Sequence, residues 1–177
     1  MTGQIILLHG PSSAGKSTSA RLLQDALPQP FWHISIDHLR DHHVLPMHRY
    51  TTGDFNWQHD RAQFFSAFHA SIAAYAKAGI NVFAEHIIDT EGWIDELVDL
   101  FSDIDVYFVG LHCDLTTLTR REQERDDRPT GSAERDFFSV NQNRRYDLIV
   151  DTTRDPHTNV DAIKAGWRSG VRSSEFS

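Results

Sequence analysis

The sequence predicts an α/β fold: a parallel five-stranded sheet with helices on both faces and a small lid. Three observations predict it. Short apolar runs alternate with stretches of helical periodicity. The first run, Ile5-Ile6-Leu7-Leu8, leads straight into a glycine-bounded turn, Gly10 to Ser17, and then into a helical pattern. The length, 177 residues, suits one substantial core and is short for two, so residues 1–177 read as a single domain.

The elements follow in order. Residues 16–27 carry Leu22, Leu23, Ala26 and Leu27 at helical spacing, and Pro28 and Pro30 close that helix. Trp32 to Ile36 reads as the second strand and delivers Asp37 to its C-terminal end. From His38 to His59 the pattern is irregular, rich in His, Arg and aromatic residues and broken by Pro46 and Gly53. A connection this long is functional or holds a little structure of its own, and residues 38–60 are taken as the acceptor-binding segment. Residues 60–78 form the clearest helix, with Phe64, Phe68, Ile72 and Tyr75 on one stripe and Gly79 as its stop.

Asn81 to Glu85 is the third strand, and Trp93, Leu97 and Phe101 mark a short helix. Val106 to Val109 is the fourth strand, with Asp114 as N-cap of the next helix. The lid spans about residues 120–135. Leu148 to Val150 is the fifth strand. Thr158 and Asp161 read as a capping pair for a last helix bearing Val160, Ile163 and Trp167, and residues 168–177 as a frayed polar tail.

Composition narrows the function. A net charge of −8 argues against a sequence-independent grip on nucleic acid, which needs Lys and Arg against phosphates, and favours small acceptors. The lone Cys113 has no internal disulfide partner and reads as a buried thiol in a reducing compartment. No signal-peptide pattern and no bilayer-length apolar segment occurs, so a cytoplasmic protein without membrane partners is expected.

The stretch Gly10-Pro11-Ser12-Ser13-Ala14-Gly15-Lys16-Ser17 is a complete P-loop, the phosphate cradle of nucleoside-triphosphate-hydrolase folds. By chance it would arise on the order of 0.01 times in such a chain. Backbone N–H groups of this loop can converge on phosphate oxygens, helped by the positive end of the following helix. Lys16 supplies a point charge to the β- and γ-phosphates, and the Ser17 hydroxyl completes the shell of a Mg²⁺ ion. Thr18 closes the nucleotide-binding stretch, with helix packing as its main role. No Asn-Lys-x-Asp pattern occurs, which argues against a GTPase.

Asp37, at a strand end facing the γ-phosphate, suits three roles: taking the proton of an acceptor hydroxyl, holding Mg²⁺ through water, or capping the next segment. Glu85 has the same range, as Mg²⁺-water ligand, acceptor contact or cap. His86 beside it is an acceptor-lining candidate or a hydrogen-bonded core histidine. The run from Arg120 to Arg128 is a solvated helix face by its i,i+4 pairs. In a phosphoryl-transfer site it reads as a lid, with Arg121 on the nucleotide and Arg125 and Arg128 on the migrating phosphate. His38, Arg49, Phe55 and Trp57, with Arg61, are candidate walls of an acceptor pocket, with core packing as the other reading of the two aromatics. The spacing of His38, His42, His43 and His48 lacks the form of familiar zinc sites.

With these residues in place the chain resembles the chloramphenicol phosphotransferase family of small P-loop kinases. The resemblance rests on Ser12 to Ser17, Asp37 with Leu39, Val109-Gly110 with Cys113-Asp114, Arg121-Glu122, Arg125, Asp127-Arg128, and Tyr146-Asp147 leading to Val150 through Thr153. It implies a nucleoside-monophosphate-kinase-like fold, ATP with Mg²⁺, and phosphorylation of a small-molecule hydroxyl. By that similarity Asp37 matches the general base, and the Arg125 and Arg128 region matches the phosphate-facing lid. Three departures stand out: the His-rich segment 38–60, Glu85-His86 where an acidic pair is usual, and Asp126 where a glycine is usual. The expected function is transfer of the γ-phosphoryl of ATP to a small hydroxyl acceptor, chloramphenicol or a related antibiotic. The alternatives are a metabolite kinase for a sugar acid or nucleoside monophosphate, and a nucleotide-binding regulatory or toxin-like module.

Overall fold

The computed structural model describes residues 1–124 and 131–177. Its strands are β1 (Gln4–His9), β2 (Phe31–Ser35), β3 (Asn81–His86), β4 (Asp105–His112) and β5 (Leu148–Asp151), in the order β2-β3-β1-β4-β5 with every pair parallel. The helices are α1 (Lys16–Ala26), α2 (Ile36–Asp41), α3 (Met47–Thr51), α4 (Trp57–Lys77), α5 (Trp93–Leu100), α6 (Leu115–Gln123), α7 (Ser132–Ser139) and α8 (Pro156–Arg168).

Successive side chains of a strand point to opposite faces, so β1 feeds two cores. Ile6 and Leu8 pack with Leu23 of α1 and Val160, Ile163 and Trp167 of α8. Ile5 and Leu7 pack with Phe68 and Ile72 of α4 and Leu97 of α5. The same parity divides the end of β3. Glu85 shares the α1 side with Phe83, and His86 shares the α4 side with Ala84. Register then sets who meets whom: Glu85 pairs with Leu8 on one side and Ser35 on the other, and His86 pairs with His9.

Several boundaries differ from the sequence reading. The second strand stops at Ser35, whose hydroxyl accepts the Asp37 N–H at 3.2 Å, so Asp37 sits in the first turn of α2 and Ser35, not Asp37, is the cap. The segment 38–59 holds the rest of α2, all of α3 and the start of α4, which Asn56 caps. The buried stripe of α4 is Phe65, Phe68, His69, Ile72, Ala73 and Ala76. Phe64 and Tyr75 lie on its shoulders, against Trp57 and Trp32. Gly79, at φ +91°, ends α4 as expected.

Asp114 caps α6 by accepting the Thr117 N–H at 2.9 Å. Helix α7, absent from the sequence reading, begins at Gly131 without a side-chain cap of its own. The buried Glu122 carboxylate supplies it, accepting the N–H groups of Gly131 and Ala133 at 2.8 Å each. Asp155, not Thr158, caps α8, with Pro156 in its first turn. Residues 168–177 are docked rather than frayed. Arg172 pairs with Asp105 at 2.8 Å, Ser174 is buried, and the Phe176 ring packs on Phe101 and Phe108. Among the described residues no helix is long and apolar enough to cross a membrane.

Candidate active site

The chain leaves β1 to one side for β2 and β3, then crosses to β4 on the other side. The strand order therefore diverges at β1, which places a crevice at the C-terminal ends of the central strands. A cavity of about 740 Å³ lies there. The P-loop forms its floor. Glycine is required at Gly10, because a Cβ would lie 2.5 Å from the Leu111 carbonyl oxygen, and at Gly15, whose φ is +86°. Gly15 precedes α1 without a side-chain cap, so the first amides of that helix are available to an anion.

Ser13, Gly15, Lys16, Ser17 and Thr18 border the cavity, while Gly10, Pro11, Ser12 and Ala14 are buried beneath them as the frame of the loop. Lys16 Nζ donates to the carbonyls of Gly10 and Pro11 at 2.8 Å each. Thr18 is exposed at the rim rather than packed in the core. One amide of the loop is engaged from behind: the Ser12 N–H donates to the buried Asp136 carboxylate of α7 at 3.1 Å.

Ser17 Oγ donates to Glu85 Oε2 at 2.8 Å, and the other oxygen of Glu85 meets His33 Nε2. Burial raises the pKa of the Glu85 carboxyl. The His33 contact, the Lys16 charge and the Ser17 hydroxyl outweigh that and leave it below the usual carboxylate value. A hydroxyl and an ionised carboxylate side by side form an all-oxygen donor set, which suits Mg²⁺. Asp37 borders the same cavity and pairs with Arg40 at 3.3 Å.

On the opposite wall Arg121 reaches across to β5. Its guanidinium donates to the Thr152 carbonyl at 2.6 Å and lies 3.5 Å from the Ser13 carbonyl, joining α6, the P-loop and the end of β5. The sequence-derived set thus divides. Lys16, Ser17, Asp37, Glu85, His86 and Arg121 share the cavity. His38 is largely exposed outside it and stacks edge-on against His33; loss of hydration over the covered part of its ring, with the neighbouring His33, lowers its pKa.

Arg49, Phe55 and Trp57 do not border the cavity. Arg49 stacks over Phe55 at 4.0 Å and pairs with Asp54, and Trp57 packs on Tyr50 and Phe64. Arg125, Asp126 and Arg128 lie outside the described residues. Sequence reasoning missed Phe65, Asp89, Arg154 and Asn159, all on the cavity wall. Phe65 had a signal, since Phe65, Phe68, His69, Ile72 and Ala76 keep helical spacing as well as the stripe through Phe64 does.

Residues 3–168 match the chloramphenicol phosphotransferase-like protein family. The chain belongs to that family. It is 32% identical over 175 residues to a Mycobacterium tuberculosis protein whose name assumes O-phosphotransferase activity, a match covering 87% of this chain and 77% of that protein. Among solved structures it resembles the Mycobacterium tuberculosis APS kinase in complex with AMPPNP and APS, with TM-score 0.69, 18% identity and 94% and 98% of the two chains covered. A Sinorhizobium meliloti gluconokinase matches with TM-score 0.65, 18% identity and coverage of 95% and 93%. Those two likenesses show the fold, that of the P-loop kinases. As a member of the chloramphenicol phosphotransferase-like family, this chain is a phosphotransferase.

Proposed function

We propose that this member of the family transfers the γ-phosphoryl of ATP to a hydroxyl of a small, uncharged acceptor, with chloramphenicol or a related antibiotic as the first candidate. The observation that carries the reading is the convergence of Lys16, the Ser17–Glu85 pair and Asp37 on one cavity. The P-loop amides and α1 hold the phosphates, and Lys16 exchanges its loop carbonyls for phosphate oxygens. Ser17, with Glu85 through water, would hold Mg²⁺, which neutralises phosphate charge when bound. Asp37 accepts the proton of the attacking hydroxyl. Arg121 holds the nucleotide, and Arg125 and Arg128 are assigned to the transferring charge by family likeness.

The acceptor's charge follows from the arginines. A phosphorylated or carboxylate acceptor needs unneutralised cations beside it. Arg40 pairs with Asp37 and Asp41, Arg49 with Asp54, and Arg61 with Asp89. These three arginines are each already matched by a carboxylate, which favours a neutral alcohol over a sugar acid or nucleoside monophosphate. The test is incubation of purified protein with ATP, Mg²⁺ and chloramphenicol, read by mass spectrometry. A monophosphate supports the antibiotic assignment, and no product across a panel of hydroxylated antibiotics removes it.

A further inference from the structure

Ser13, in the middle of the P-loop, has a backbone φ of +64°. That is the left-handed region, which glycine enters freely and a residue with a Cβ enters at a cost. The two glycines of the loop, Gly10 and Gly15, stand on either side, so the sequence offers no relief at this position. A strained residue persists only where its surroundings fix it. The Ser13 hydroxyl is buried and has no hydrogen-bond partner among the described residues, so its own side chain does not hold the turn by a hydrogen bond.

The turn is held instead by two helices far along the chain. On one side of Ser13 the Ser12 N–H donates to Asp136 Oδ2 of α7 at 3.1 Å, and both residues are buried. The other oxygen of Asp136 is fixed in turn, because Arg135 donates to Oδ1 through Nε at 3.1 Å and Nη2 at 3.0 Å. On the other side Arg121 of α6 places Nη1 3.5 Å from the Ser13 carbonyl oxygen, while its Nη2 donates to the Thr152 carbonyl.

The two helices are themselves joined at Glu122, the residue after Arg121. Its buried carboxylate accepts the Gly131 N–H on Oε2 and the Ala133 N–H on Oε1, at 2.8 Å each. Loss of that carboxylate would leave the buried Ala133 amide unpaired, so the tie between α6 and α7 is costly to break. Ser13 is thus bracketed by contacts from α6 and α7, and Glu122 fixes the spacing of the pair.

We propose that Glu122 and Asp136 are positioning residues for the nucleotide: α7, tied to α6 by Glu122, uses Asp136 to keep Ser13 in its left-handed turn, and that turn shapes the loop that receives the triphosphate. Neither residue acts by touching the nucleotide. Without the Asp136 contact the loop relaxes toward ordinary φ values, and ATP binding must then restore the turn at the expense of affinity. This inference rests on the ATP reading above and is independent of the acceptor.

The experiment is equilibrium titration of the full chain with ATP and Mg²⁺, without an acceptor. Asp136→Ala and Glu122→Ala should each raise the ATP Kd about tenfold, and the double variant no further than Asp136→Ala alone, because both act through one turn. Asp136→Asn, whose amide oxygen can still accept the Ser12 N–H, should bind ATP close to wild type. Where Glu122→Ala does not fold, Glu122→Gln, which keeps one acceptor oxygen, takes its place with a smaller rise.

Ser13→Gly separates this role from a general loosening of the fold, since glycine is at ease with positive φ. On the Ser13→Gly background Asp136→Ala should change the ATP Kd by less than about twofold. A full effect on that background, additive effects of Glu122 and Asp136, or an ATP Kd in Asp136→Ala equal to or below that of wild type each overturn the proposal. Wild-type protein that binds no ATP overturns the phosphotransfer reading and this role together. ATP binding that responds to the variants as expected, without transfer to any alcohol, removes the phosphotransfer reading and leaves this role standing.

Discussion

Ser17 Oγ and Glu85 Oε2 are joined by a 2.8 Å hydrogen bond that ties the first turn of α1 to the end of β3. The two residues are 68 positions apart in sequence, yet β3 pairs directly with β1, so the strand beside the one that launches the P-loop delivers the carboxylate. Glu85→Gln keeps the shape and removes the charge. It should raise the Mg²⁺ concentration needed for half-maximal turnover by roughly 10–100-fold. A titration of rate against Mg²⁺ that matches wild type would remove Glu85 from the metal site.

Asp37→Asn should lower phosphoryl transfer by about 10²–10⁴-fold, the usual contribution of a positioned base, and leave ATP affinity within about twofold. Single-turnover transfer and nucleotide titration on the same sample separate these effects. Normal turnover in the variant would return Asp37 to a role in ordering α2 with Arg40.

Asp136→Ala should leave the buried Ser12 N–H without its acceptor, at about 1–3 kcal/mol in stability. Because that amide belongs to the P-loop, the ATP KM should rise more than the acceptor KM. Thermal melting and steady-state kinetics read the two effects, and an unchanged ATP KM would show that the loop holds its form without this contact.

Acid stability should begin to fall well above the carboxylate range. His86 titrates at about 3 in the folded chain and near 6.5 unfolded, and burial likewise holds the His9 pKa well below 6.5. Between pH 6.5 and about 3 the unfolded state therefore binds more protons. Stability is full above 6.5 and is lost as pH falls, by up to about 1.4 kcal/mol per pH unit for each group. The pH dependence of Tm should be shallower over that window in His86→Gln than in wild type. Parallel curves would mean that the ring is protonated in the folded state.

Removing residues 171–177 should destabilise the fold by about 1–3 kcal/mol through loss of the Phe176 packing, with further loss from the Arg172–Asp105 pair. Chemical denaturation measures this directly. An unaltered midpoint would mean that the segment only rests on the sheet.

Legibility in the sequence followed locality. The P-loop, Asp114 and Gly79 were readable because each acts on neighbours a few residues away. Phe64 and Phe65 are both apolar, so period alone could not choose which faces the sheet; the packing of α4 against β3 chose Phe65. Asp155 prevailed over Thr158 because its carboxylate reaches the N–H groups of both His157 and Thr158. The tail looked polar because its anchors, Asp147 and Asp105, lie far back in the chain.

The sequence by itself determined a phosphate cradle after the first strand of an α/β sheet, with Asp37 and Glu85 at the C-terminal ends of the second and third strands, because motif chemistry and strand periodicity are written in consecutive residues. Only the tertiary structure decided that Glu85 meets Ser17 while His86 turns to His69, that Arg40 and Arg61 are already paired, and that Arg49, Phe55 and Trp57 stand outside the cavity. Those outcomes depend on strand order, pleat parity and helix rotation, which are set by packing the whole core at once and have no signature in any short stretch of sequence.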